Sequence, residues 1–301
     1  MGGNTLETLV DDVYTLMQNK NSAKGVDTEA EIDKFGEAMK DLMRKEFLPN
    51  VQNFAGRGGL RLSSIGKPEL QQWYSVNKFR GEKIQPHTYI KFMYGHLIEE
   101  MLLFFVRLSG HKVTDEQKKC TVGDITGHMD CKIDGIVTDV KSTTKFGIKK
   151  FEDGTLAASD SFGYVDQIKA YAHSEGERKW AWLAMDRDSG RLAVLEYDLD
   201  DTDHPMHGIY SADIEERVAH VKKSVGGEDR PSPCSYPEED GKSGNLKLST
   251  ICSYCQYKKH CYPTLRAFAL SSGPKFMTHV VNVPTNKFKK PYPEIDLNEE
   301  N

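Results

Sequence analysis

The chain has no hydrophobic run long enough to matter to a membrane. Its strongest, Met101 to Val106, falls far short of the roughly 20 residues a bilayer span requires. Met1-Gly2-Gly3-Asn4-Thr5-Leu6 lacks the basic and apolar regions of a secretory signal, and Leu6 breaks the myristoylation pattern. Cysteine is scarce, six in 301 residues. Without an export signal, so few read as thiols or metal ligands rather than a disulfide framework. An excess of positive charge is missing too. The net charge of −5 gives no overall field to draw nucleic acid, which leaves any such binding to a local basic groove. There is no internal repeat and no long low-complexity tract. These absences lead us to expect an intracellular, cytoplasmic globular protein with no membrane partner.

What is present has strong periodicity. Leu6, Leu9, Val10, Val13 and Leu16, then Ile32, Phe35, Met39, Leu42 and Met43, recur at helical spacing and predict two helices before residue 50. Residues 54–67 are glycine-rich and basic and read as a loop, after which Pro68 opens a short helix. A long helix is expected from Pro86 to Leu108. Its apolar stripe would be Ile90, Met93, Leu97, Met101, Phe104, Phe105 and Leu108, with Gly110 as its stop. Three strand-like segments follow at 111–121, 124–133 and 135–143, with Asp134-Gly135 as a hairpin turn and Asp124 in another. Residues 144–160 read as an irregular lysine-bearing loop. A helix at 161–174, strands at Lys179–Met185 and Leu192–Tyr197, and a helix at Ile214–Val225 complete an α/β pattern. Residues 226–246 read as a linker, and the charged end of the chain as a disordered tail.

The chemistry concentrates in Gly127-His128-Met129-Asp130 and Asp139-Val140-Lys141. Residues 139 and 141 are two apart, so on a strand they share a face. An acid able to hold a hard cation thus stands beside an ammonium able to reach the same anion. That pairing suits metal-assisted phosphodiester cleavage.

Gly95-x3-Glu99, Gly127-x2-Asp130, Asp139-x-Lys141 and Gln167-x3-Tyr171 together resemble the PD-(D/E)XK nuclease superfamily, in its RecB-like and lambda-exonuclease-like branches. The resemblance covers roughly residues 86 to 200. It implies a restriction-endonuclease-like core with a mixed central sheet flanked by helices, plus an N-terminal helical addition and a C-terminal cysteine-rich metal segment. The corresponding divisions are 1–85 helical, 86–225 nuclease core, 226–275 linker and cysteine segment, and 276–301 tail. It also implies roles. Glu99, Asp130 and Asp139 would bind Mg²⁺ or Mn²⁺, with the Val140 carbonyl as a further oxygen. Lys141 would contact the scissile phosphate or the attacking water, while Gln167 and Tyr171 would orient the DNA backbone or the lysine. His96 reads as a supporting group around the metal or as a helix-surface histidine, and His128 as a supporting group or a structural residue. Glu100, adjacent to Glu99, points about 100° away on a helix and should not share the site equally.

Cys252-x2-Cys255-x5-Cys261, with Cys234 upstream, has the spacing of a tetrahedral zinc site or an iron–sulfur cluster. Some RecB-like nucleases carry such a triplet with an upstream cysteine and bind [4Fe–4S]. Here Ser63–Pro68 holds no cysteine in the upstream place, so Cys234 stands as the fourth ligand. Cys120 and Cys131 fall in strands and read as packing residues. Arg57, Arg61 and Lys67 before the core, and Lys145 and Lys149 after the catalytic strand, are expected to hold DNA phosphates. Trp73 reads as a core residue. The expected activity is a metal-dependent DNA exonuclease acting at ends, in recombination, repair or phage-type processing. A structure-selective endonuclease and a non-catalytic nucleic-acid-binding module are the alternatives.

Overall fold

A computed structural model describes residues 4–19, 23, 25–48 and 59–297. Its chain falls into two compact units. One comprises residues 1–66 and 85–220, the other residues 67–84 and 221–301. None of the described helices is long and apolar enough to cross a membrane.

Helices α1 (Leu9–Gln18) and α2 (Thr28–Phe47) begin the chain, and α3 (Glu69–Val76) opens the second unit. Helix α1 buries Leu9, Val13 and Leu16, the stripe its spacing dictates. Helix α2 buries no residue fully; it packs through the Phe35 ring, 5.1 Å from that of Phe104, and through charge. The buried Arg107 guanidinium donates to Glu31 at 2.6 Å and to Glu116 at 3.2 Å. Helix α4 (Pro86–Leu108) has the expected bounds, with Pro at its first turn and Gly110 in the left-handed region (φ 94°) just past its end. Its buried face differs from the predicted stripe. Leu102, Leu103 and Val106 are buried while Ile90 is 51 % exposed. Of the predicted stripe only Leu108 is fully buried, with Met101, Phe104 and Phe105 half-buried, because only the second half of the helix lies on the sheet and it turns a neighbouring face inward.

Strands β1 (Val113–Thr114), β2 (Lys119–Val122), β3 (Ile125–His128), β4 (Cys131–Ile133) and β5 (Ile136–Thr143) replace the three predicted segments. Asp134 (φ 50°) and Gly135 (φ 89°) form the two-residue β4–β5 turn, both in the left-handed region that such a turn needs. Gly123-Asp124 makes a two-residue β2–β3 turn in which only Gly123 (φ 59°) is in the left-handed region. Residues 144–160 are not an irregular loop. Helix α5 (Lys145–Glu152) forms there because Thr144 Oγ1 accepts from Gly147 N and Ile148 and Phe151 bury one face. Helix α6 (Tyr164–Glu175) and strands β6 (Lys179–Asp186) and β7 (Leu192–Asp198) follow, then helices α7 (His207–Tyr210) and α8 (Ile214–Gly226).

The main sheet has the order β1-β4-β5-β6-β7, with β5 and β6 parallel and the other pairs antiparallel. It is a mixed five-stranded sheet flanked by helices. Trp180 through Asp186 on β6 are all buried, as expected of a strand covered on both faces. On one face Val140, Ala181 and Leu183 pack with Leu9 of α1 and Leu102 and Val106 of α4.

The second unit contains a sheet that sequence periodicity did not reveal. Strands β8 (Glu238–Glu239), β9 (Leu246–Lys247), β10 (Arg266–Leu270), β11 (Gly273–His279) and β12 (Glu294–Ile295) form an antiparallel sheet in the order β12-β10-β11-β9-β8. Residues 226–246, read as a linker, and 276–297, read within a tail, therefore contribute strands. Strands of two residues bounded by Pro, Gly and Ser leave no alternation to detect. The last four residues of the expected tail lie outside the described residues. Short helices α9 (Thr250–Ser253) and α10 (Lys258–Cys261) carry Cys252 and Cys261, with Cys255 between them.

Candidate active site

Asp139 and Lys141 stand in the middle of β5, alternating with Val140, which packs toward α4. Their side chains meet in an ion pair, Asp139 being 1 % and Lys141 15 % exposed. Helix α6 covers that face. Gln167 Nε2 donates to Asp139 Oδ1 at 3.2 Å. Tyr171, one turn later on the same helix, is buried, and its hydroxyl has no hydrogen-bond partner among the described residues. The ring of Tyr164 at the start of α6 lies 4.8 Å from Lys141 Nζ, a cation–π contact. Asp160 fixes that helix start by accepting from the backbone N–H groups of Gly163 and Val165.

Strand β4 pairs with β5 only as far as Thr138. Beyond that point Asp130 replaces a ladder partner, its Oδ2 accepting from Val140 N at 2.8 Å. Gln117 then joins the second and third acids. Its N–H donates to the Asp130 carbonyl at 2.9 Å, and its side-chain amide donates to Glu99 Oε1 at 2.9 Å. Neither Gln117 nor Tyr164 was legible as a site residue, since each acts through a neighbour and sits in no motif.

The acids and Lys141 share one electrostatic field. Burial, then Asp130 and Glu100, push the Glu99 carboxyl up to about 8. Burial raises Asp139 to about 7, against the pull of Lys141 and with Asp130 adding to it. Burial raises Asp130 as well, while Lys141, the Val140 N–H and His96 oppose it. Burial alone would lower Lys141, but Asp139 and Asp130 carry it above its ordinary range. Glu99 therefore shares one field with Asp130, Asp139 and Lys141. Glu100 instead feels Glu116, Arg107 and Lys34 after its own burial.

As placed, no three His, Cys, Asp or Glu side chains among the described residues are arranged to hold a metal ion. Glu99, Asp130 and Asp139 are held by Gln117, Val140 N–H, Gln167 and Lys141 instead. His96 is exposed on α4 within the field of Asp130. His128 is exposed on β3, paired across the hairpin with Lys119. Gly127 serves clearance: a Cβ there would lie 2.9 Å from Leu62 Cβ and 3.0 Å from the Tyr171 ring.

Among the expected phosphate contacts, Lys145 and Lys149 are exposed on α5 and Arg61 is half-buried. Lys67 is half-buried in the second unit, where burial lowers its pKa and Cys255 opposes that shift. Arg57 lies outside the described residues. In the second unit Cys234, Cys252, Cys255 and Cys261 all line one cavity, together with Pro68, Gln71 and Tyr262. Leu70 and Tyr74 of α3 pack against Cys255 and Tyr257, with Trp73 half-buried beside them. Burial raises the Cys234 and Cys255 thiols to about 11, with neighbouring cysteines adding to it. Cys120 and Cys131 are buried, as packing residues should be.

No family model matches the chain, and no curated protein matches it. Among solved structures, it is similar to an alkaline exonuclease (LHK-Exo) from Laribacter hongkongensis. The identity is 11%, covering 57% of this chain and 92% of that one, with a TM-score of 0.38. The same exonuclease in complex with dAMP gives 11% identity over the same shares at a TM-score of 0.35. A protein titled SSO0001 gives 15% identity over 78% of this chain and 96% of that one, at a TM-score of 0.38.

Proposed function

We propose that the chain is a metal-dependent deoxyribonuclease of the PD-(D/E)XK type, hydrolysing phosphodiester bonds at DNA ends. The observation that carries this reading is the buried Asp139–Lys141 pair on β5, with Asp130 docked on the intervening Val140 N–H and Glu99 tied to Asp130 through Gln117.

The donor chemistry fits a hard divalent cation. Three carboxylates offer oxygen only, which favours Mg²⁺ or Mn²⁺ over zinc. Burial and mutual repulsion raise the Glu99 and Asp139 carboxyls, and this cost of crowded negative charge is what a bound cation relieves. Glu99, Asp130, Asp139 and the Val140 carbonyl would hold the ion, which supplies Lewis acidity toward phosphate and water. The rest falls to the chain's own groups. Lys141, kept cationic by Asp139 and Asp130, sets a fixed positive charge where a phosphate oxygen gains negative charge. Gln167 orients Asp139, and Tyr171, buried one turn later on α6, would orient the lysine or the DNA backbone. Lys145, Lys149 and Arg61 offer charge to the flanking backbone, and Arg57 joins them in this reading. A role in recombination, repair or phage-type processing, and a cytoplasmic location, belong to the same proposal.

We further propose that Cys234, Cys252, Cys255 and Cys261 hold Zn²⁺ or a [4Fe–4S] cluster that fixes the second unit. Their shared cavity supports this, as do thiols pushed high by burial, a penalty that cation binding removes.

The test is end-labelled linear DNA incubated with Mg²⁺, Mn²⁺ or EDTA, beside a closed circle. Digestion of the linear form alone, stopped by chelation, is expected. Cleavage of the circle would make the enzyme an endonuclease. No cleavage of either by a folded protein that still binds DNA would leave a binding module.

A further inference from the structure

The first half of α4 is an anomaly. Helices on sheets bury a stripe along their length, yet the earliest buried residue of this 23-residue helix is Leu102. Upstream, Tyr89 is 56 % and Phe92 55 % exposed. At about 100° per residue, Phe92 lies two turns before Glu99 on almost the same azimuth, some 10 Å along the axis. Gly95 and His96 fall between them on that side, and Tyr89 continues the face outward. Ile90 and Tyr94 point to the opposite side. A Cβ at Gly95 would meet nothing within 4 Å, so a strip of bare backbone separates Phe92 from Glu99.

From Pro86 to Ile98 the helix carries no acid at all; His96 lies on the Phe92 side and Lys91 flanks it, while His87 falls on the opposite side. The first carboxylate is Glu99 itself, at the candidate centre. An aromatic, acid-free face continuous with a phosphodiester-cleaving site suits one occupant best. Aromatic rings stack on base faces, which are accessible only in unpaired strands, while Lys and His meet phosphate. A duplex would need the cations but would have no use for the rings.

We infer that the α4 face running from Tyr89 through Phe92, Gly95 and His96 to Glu99 is a track for a single-stranded nucleic-acid end, with Phe92 and Tyr89 stacking on its bases. This rests on the nuclease reading and deepens it, making the preferred substrate an unpaired terminus.

The experiment measures binding of 2-aminopurine-labelled single strands and matched duplexes in EDTA, with digestion rates in Mg²⁺ alongside. Phe92→Ala should weaken single-strand affinity about tenfold, the scale of one base–aromatic stack. It should also abolish 2-aminopurine quenching and leave duplex affinity unchanged. Phe92→Trp should restore quenching, and Tyr89→Ala should act in the same direction. Because both side chains are exposed, thermal melts of the variants should match the wild type. If the wild type digests DNA but Phe92→Ala alters neither single-strand affinity nor rate, the track is wrong and the nuclease reading stands. A variant that changes the oligomeric mass by light scattering, with DNA affinity unmoved, would reassign the face to contact between copies. A wild type that neither binds nor cleaves would remove both readings.

Discussion

The Asp130 carboxylate accepts a hydrogen bond from the Val140 N–H at 2.8 Å, taking the place that a strand would fill. One side chain thereby completes the sheet edge and joins the acidic centre. Asp130→Asn retains an oxygen for that N–H and should unfold in urea within about 1 kcal/mol of the wild type, yet lose cleavage. Asp130→Ala leaves the N–H without its partner and should cost about 1–3 kcal/mol. Equal stability of the two variants would show that the hydrogen bond contributes nothing to folding.

Glu99 makes stability depend on pH. Its carboxyl moves from the usual 4.5 up to about 8 on folding. The folded state therefore binds more protons than the unfolded one between those limits, so stability falls as pH rises through that window. Asp139, raised to about 7, acts with the same sign. The slope from a single group cannot exceed about 1.4 kcal/mol per pH unit. Denaturant melts from pH 4.5 to 8 should show Glu99→Gln with a flatter profile. Mg²⁺ should also flatten the wild type. A Glu99→Gln profile parallel to the wild type would refute the assignment.

Gly127→Ala tests clearance rather than chemistry. Its new methyl would press on Leu62 and on the Tyr171 ring at 2.9 and 3.0 Å. Relief requires moving a buried tyrosine, at a cost of about 1–3 kcal/mol. Thermal melting should fall accordingly, and cleavage should fall with it as the Tyr171 ring is displaced.

Lys141→Ala should abolish cleavage while leaving DNA affinity largely intact. The variant also strips Asp139 of its buried counter-charge, so its stability should fall further at alkaline than at acid pH. Retained cleavage would remove the central role given to this residue.

Elemental analysis of purified protein addresses the cysteine cavity. About one zinc or about four irons per chain is expected, depending on which species binds. Cys255→Ser should lower that content sharply. Metal at trace levels in a folded wild type would leave the four thiols as packing groups.

Much of the main unit was legible in its residues. Helix α4 runs from Pro86 to Leu108 because proline and glycine mark its ends, and Asp134-Gly135 turns because both residues tolerate positive φ. Asp139 and Lys141 share a face because strand geometry demands it. Gln167 meets Asp139 where a four-residue helical spacing from Tyr171 suggested a joint role. Other features were hidden for identifiable reasons. Helix α5 depends on a Thr144 cap and two apolar residues, too short a period to stand out. The sheet of the second unit is built partly from two-residue strands, and Gln117 reaches Glu99 from a turn at φ 53° that no pattern marks.

The second unit is assembled from residues 67–84 and the distant stretch beyond 220. During synthesis α3 emerges well before the cysteine segment that covers Leu70 and Tyr74. Those apolar side chains must wait, uncovered, for over a hundred further residues to leave the ribosome. A protein truncated after α8 would keep this exposure permanently, so shortened forms should precipitate or recruit chaperones even with every acidic-centre residue in place.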